Sequence, residues 1–176
     1  MEERHKVKVN LEKSDVDLPW RRKFLLFSFT IHKEPKVRIA KESVQRMKNK
    51  IREITSRKKP YPLGYRIKKL NQYLMGWCGY FALADTPSVF KTFDSWIRRR
   101  LRMCIWKAWK LPRTKVRKLT WLGVPKGKAY EWGNSRKSYW RISKSPILHR
   151  ALDTSYWNYQ GLKSLSSRYE DCRHPS

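Results

Sequence analysis

The chain has 176 residues, 40% hydrophobic and 14% aromatic, which is enough for one good core or two small ones and too apolar for a disordered basic tail. Lys and Arg number 42 against 14 Asp and Glu, a formal net charge of +28, so self-repulsion opposes a compact chain unless a polyanion screens it. No apolar run approaches the roughly 18 residues of a membrane span, and MEERHKVKVN reads as neither signal nor transit peptide, so nucleic acid is favoured over a membrane as the partner.

Taken in order, residues 1 to 22 are polar, with Val7 and Val9 alternating against Lys6 and Lys8 as in a short exposed strand. VNLEKSDVDLPW follows as a turn-rich connector, in which Asp15 and Asp17 suit turns rather than a metal. KFLLFSFT and VRIA are short strands about a turn at Pro35, so Lys23 to Ala40 reads as a β-hairpin. A lone hairpin is marginal in water, so it must pack on the helices that follow or on a sheet this chain does not contain.

From Lys41 to Thr55, Val44, Met47, Ile51 and Ile54 recur at three and four, the spacing of a helix with one narrow apolar stripe. Pro60 and Pro62 interrupt it. A second helix is predicted from about Gly64 to Ala82, with Ile67, Leu70, Tyr73, Leu74, Trp77, Tyr80 and Phe81 on a broad apolar face. Gly76 and Gly79 each cost about 1 kcal/mol against Ala in a helix, which predicts close approach of a backbone or ligand there. Thr86 is the expected N-cap and Pro87 the first residue of a third helix, which ends near Leu111-Pro112. Its stripe comprises Val89, Phe90, Phe93, Trp96, Ile97, Leu101, Cys104, Ile105 and Ala108, with Arg98, Arg99, Arg102 and Lys107 largely to the other side. Three such helices with short connections make a small antiparallel bundle.

Beyond Pro112, TKVRKLTWLG and KGKAYEWGNS are short helices ended by Gly123 and Gly133, SRKSYWRISKSP is a basic, aromatic loop, and Pro146 opens a last helix through Leu152. YWNYQGLKSLSSRY closes the chain with alternating aromatic and polar residues. The reading is mainly α, divided into 1–40 with the hairpin, 41–111 as the helical bundle, and 112–176 as a basic helical subdomain of weak independent stability.

Little here asks for catalysis. Cys78, Cys104 and Cys172 are odd in number and far apart, which argues against a zinc site or disulfide framework and fits a reducing compartment. His5, His32, His149 and His174 are scattered, nothing local pairs His149 with Ser145 or Cys172, and no phosphate loop occurs. The signal lies in the cations: Arg98, Arg99, Arg102, Lys107 and Lys110, then Arg113, Lys115, Arg117 and Lys118, then Arg136, Lys137 and Arg141 are the candidate phosphate contacts.

The motif Asn71-Gln72-Tyr73-Leu74-Met75-Gly76-Trp77 with Gly79-Tyr80-Phe81, followed by Trp96-Ile97-Arg98-Arg99-Arg100-Leu101-Arg102, resembles the maturase-specific region of group II intron reverse transcriptases. Val9-Asn10 to Lys13-Ser14, Pro19-Trp20 and Phe24 to Phe29 resemble the end of their palm, and Phe24, Leu25, Leu26 and Phe27 their primer grip. Asn134-Ser135-Arg136-Lys137, Trp140-Arg141, Ser145-Pro146, His149 to Leu152 and Gly161 to Leu165 resemble their C-terminal DNA-binding region, closest to bacterial forms without an endonuclease. The resemblance implies a thumb over about 41–110 that binds intron RNA for splicing and holds template-primer or target DNA. Leu26 stands where the family usually has Gly, and the Tyr-x-Asp-Asp motif is absent. The chain is therefore expected to be a cytoplasmic, non-polymerising C-terminal piece, with magnesium needed only by a palm it lacks. Two alternatives stay open: a trans-acting subunit completed by a separate fingers and palm chain, or a non-functional truncated remnant.

Overall fold

The computed structural model describes Leu18, Arg21, residues 24–31 and residues 34–174. The expected strand at Val7 and Val9, the connector with Asp15 and Asp17, the palm-like residues up to Trp20 other than Leu18, and His5 and His32 lie outside the described residues.

A hairpin of β1 (Phe27–Phe29) and β2 (Val37–Ile39) precedes α1 (Lys41–Ile54), α2 (Leu63–Phe81) and α3 (Pro87–Ala108). Six shorter helices follow: α4 (Pro112–Trp121), α5 (Lys126–Gly133), α6 (Tyr139–Ile142), α7 (Pro146–Ala151), α8 (Thr154–Tyr159) and α9 (Leu165–Arg173). The mainly α reading with an N-terminal hairpin therefore holds among the described residues.

The hairpin is antiparallel, with Phe27 opposite Ile39 and Phe29 opposite Val37. KFLLFSFT is not one strand, however. Phe24 folds back on Phe27 through reciprocal backbone bonds of 3.1 and 2.9 Å, which puts Leu25 at φ 48° and Leu26 at φ 70°. Positive φ at both central residues defines a tight hairpin turn normally made by Asn-Gly. The question of what the hairpin packs on is answered by the helices. Phe27 stacks on Tyr80 at 5.7 Å and leans on Phe81, Tyr80 Oη donates to the Leu25 carbonyl at 2.9 Å, and the Ala40 amide donates to the Leu26 carbonyl at 3.0 Å.

Helical periodicity placed α1 and α2 within one residue of their ends and α3 at its start, whereas α3 stops at Ala108, short of the expected Leu111-Pro112. Met47 and Ile51 of α1, Ile67, Leu70, Leu74, Cys78 and Phe81 of α2, and Phe90, Phe93, Ile97, Leu101 and Ile105 of α3 are buried at three- and four-residue spacing. Three expectations fail in detail. Tyr80 and Ala108 are exposed, because they sit at the stripe edges near their helix ends. Thr86 is the N-cap residue of α3, yet its hydroxyl caps nothing. A Cβ at Gly76 or Gly79 would meet nothing within 4 Å, so no backbone approaches them. The close approach is instead at Gly133, where a Cβ would lie 2.6 Å from Val116 Cγ2, and this is what brings α5 tight against α4.

The C-terminal third is more helical than its turn-rich composition suggests. SRKSYWRISKSP contains α6, capped by Ser138, and two further helices follow α7. The left-handed Gly123 and Gly161 end α4 and α8: the Val124 amide reaches the Leu119 carbonyl, and the Leu162 amide reaches that of Trp157, both at 3.0 Å. The last helix, α9, then packs on both α2 and α3. Tyr169 stacks on Phe90 with centroids 4.4 Å apart and donates its hydroxyl to the Ala84 carbonyl, while Leu165 is fully buried. Asn71 of the recognised motif ties the preceding loop to α2, donating to Gly161 O at 2.7 Å and accepting from the Lys163 amide.

Candidate nucleic-acid interface

The interface is built outward from the loop between α1 and α2. Arg66, 5% exposed, donates from all three guanidinium nitrogens to loop and helix-end carbonyls: Ile54 and Lys59 at 2.6 Å and Tyr61 at 3.1 Å. Arg100 spans to the Arg52 and Thr55 carbonyls, and Cys104 Sγ donates to Thr55 O at 3.2 Å. These six bonds tie down carbonyls of the loop and of the end of α1. The loop is thereby fixed against the second half of α3, and the run Arg57-Lys58-Lys59 is held beside Lys107 and Lys110 around a groove of about 500 Å³. Lys107 itself donates to the Arg57 carbonyl at 2.6 Å.

A second groove, of about 670 Å³, lies between α4 and α5 and is lined by Arg113, Arg117 and Lys126 with Trp121 and Tyr130. Arg113 and Arg117 share a helix face, as their four-residue spacing requires. No Asp or Glu occurs in the sequence between Asp94 and Glu131, so nothing on α3 beyond Asp94 or on α4 neutralises these cations from within.

The twelve predicted cations divide by environment. Lys107, Lys110, Arg113, Arg117, Lys118, Arg136, Lys137 and Arg141 are exposed. Lys118 lies 5.7 Å over the Trp121 ring and Lys137 lies 4.9 Å over Trp132, so aromatic faces position both. Lys115 is half-buried over Trp106 at 4.9 Å, and desolvation holds its ammonium below the usual lysine range. Arg98 is half-buried. Arg99 lies 3.9 Å over Trp140 and donates to its carbonyl, which fastens α6 to α3, and its Nε is buried without a partner.

Arg102 is interior, at 3% exposure. It donates to the Ser143 carbonyl at 3.1 Å, the Leu152 carbonyl at 3.3 Å and His149 Nε2 at 3.1 Å. Burial, reinforced by Arg98 and Arg99, pulls its pKa down to about 10, so it stays charged at neutral pH with carbonyls in place of a counterion. Its spacing put it with the surface cations, but its length carries it into the C-terminal helices. Sequence reasoning also passed over Arg57, Lys58, Lys59 and Lys126. The first three form a visible charge run, whereas Lys126 joins the α4 cations only through the fold.

The primer-grip-like residues are at the hairpin tip, where Phe24 is 68% and Leu25 65% exposed, Leu26 is exposed and Phe27 is half-buried against α2. Among the described residues no group of three or more His, Cys, Asp and Glu is placed to hold a metal, and no helix is long and apolar enough to cross a membrane. Cys78 is buried, its thiol pushed up to about 12 chiefly by desolvation, as befits a core residue.

No curated protein matches the chain. Residues 44–121, from the first stripe residue of α1 to the last residue of α4, match the family described as group II intron, maturase-specific domain, and across that stretch the chain is similar to a group II intron maturase.

Proposed function

We propose that the chain is a nucleic-acid-binding maturase module that binds group II intron RNA to assist splicing. In a complete protein the same helices hold template-primer or target DNA as the thumb of a reverse transcriptase. The observation that carries this reading is the cationic surface inside the matched stretch, where a loop fastened by Arg66 and Arg100 sets Arg57, Lys58 and Lys59 beside Lys107 and Lys110, with Glu53 paired to Lys59 at its edge. Each phosphate neutralised there releases counterions, so affinity falls with salt with a log-log slope of about −0.9 per phosphate on duplex DNA and about −0.7 on single strands. Replacing Lys107, Lys110, Arg113 and Arg117 with Ala weakens binding to structured intron RNA and flattens that slope. Unchanged affinity, or equal affinity of the unaltered chain for tRNA, heparin and intron RNA, overturns the reading.

A second reading, a subunit completed in trans by a separate fingers and palm chain, is supported by the exposed apolar hairpin tip at Phe24 and Leu25. Primer extension upon mixing, above that of the fingers and palm chain alone, is its test.

A further inference from the structure

Trp121 and Tyr130 are 77% and 58% exposed, face one groove, and belong to neither the core nor the residues packed against it. Leaving rings of that size in water forgoes a large burial gain, and nothing in the fold of α4 and α5 requires them there. The pair of helices beneath them is closely packed, since Gly133 seats α5 directly on Val116 and the left-handed Gly123 ends α4 two residues after Trp121. Arg113, Arg117 and Lys126 line the same groove with no carboxylate among its lining residues.

We infer that the α4–α5 groove is a stacking site for unpaired nucleotides: Trp121 and Tyr130 take base faces, while Arg113, Arg117 and Lys126 take the intervening phosphates. The inference rests on the nucleic-acid reading above and adds the class of ligand. Rings with cations between them match the alternation of bases and phosphates along a single strand. In a duplex the bases are stacked on one another and offer the rings no face, so paired RNA gains only the phosphate contacts. An acidic protein segment would satisfy the cations and leave the rings without planar partners.

The test uses the full chain and fluorescence anisotropy with three probes: a short single-stranded RNA, the same strand annealed to its complement, and the same strand with central bases removed. The unaltered chain should bind the intact strand more tightly than the base-depleted one. Trp121→Ala and Tyr130→Ala should each weaken binding to the intact strand by about 5- to 50-fold, erase the preference over the base-depleted strand, and leave the salt slope and duplex affinity unchanged. The inference is overturned if each variant loses as much affinity for the duplex as for the single strand, or if polyglutamate displaces the RNA from the unaltered chain but not from Trp121→Ala. It is also overturned, without any variant, if the unaltered chain binds RNA with a steep salt slope yet ignores base removal, and that outcome leaves the cationic interface standing. An unaltered chain that binds none of the probes overturns both.

Discussion

Asp94 of α3 caps the start of α9 from outside: its Oδ1 accepts from the Leu165 amide at 2.8 Å, and its Oδ2 accepts from the Ser166 amide at 3.0 Å. The Ser164 and Ser166 hydroxyls add bonds of 2.8 and 2.7 Å to Oδ2. A 6%-exposed carboxylate is thereby satisfied by free amides at a helix N-terminus, where the helix dipole also favours negative charge. Asp94→Ala strands those amides, and the expected cost is about 2–4 kcal/mol in denaturant unfolding. Loss of less than about 0.5 kcal/mol would show that α9 is held by its apolar contacts alone.

Arg102 and Arg117 separate structure from binding. Arg102→Met is expected to lower stability by about 2–4 kcal/mol, because it leaves the Ser143 and Leu152 carbonyls without their donor. At a temperature where the variant is folded, its salt slope for RNA should match that of the unaltered chain. Arg117→Ala should do the reverse, with stability within about 0.5 kcal/mol and a shallower slope. Thermal melts beside anisotropy titrations read both.

His149 makes the packing of α7 pH-sensitive. Burial first, then Arg102, Arg98 and Arg99, hold its pKa below the ordinary 6.5, and the neutral ring accepts from Arg102. As pH drops below 6.5 the unfolded chain takes up this proton before the folded chain does, so stability falls with pH from 6.5 down through the depressed folded value. Well above 6.5, where both states have lost the proton, this group contributes no slope. His149→Gln keeps an acceptor and cannot titrate, so its stability should decline less between neutral pH and about pH 5 when the two proteins are melted side by side.

The turn at Leu25-Leu26 is strained. Left-handed backbone costs an ordinary residue about 1–2 kcal/mol, and two adjacent leucines bear it. Leu25→Asn with Leu26→Gly supplies the residues such a turn favours and should stabilise the hairpin by about 1 kcal/mol. Slower hydrogen exchange at the Phe27 amide would register it; faster exchange would mean that the leucine side chains hold the turn.

Legibility in the sequence followed periodicity. The helices α1 to α3 could be drawn because their stripes repeat for about three turns or more, and the motif from Asn71 to Phe81 pointed to the family that 44–121 matches. The helices α6, α8 and α9 could not, because four to nine residues carry too little period and their starts depend on single capping residues such as Ser138, Asp153 and Ser164. Charge was legible as composition but not as position. Arg98, Arg99 and Arg102 look alike on a helical wheel, and only the arrival of α6, α7 and the segment around Leu152 turns Arg102 into an interior donor.

The seat that α9 takes on α2 and α3 has a consequence for synthesis. Phe90, Cys78 and the Asp94 carboxylate find partners in residues 165–169, made well after α2 and α3. Until then a strongly basic bundle is partly uncovered, and contacts spanning some 70 to 90 residues form late. Supplying a peptide of the α9 sequence to a chain ended before Leu165 should close the same bundle from outside. The order in which these elements are made thus leaves α2 and α3 waiting for α9.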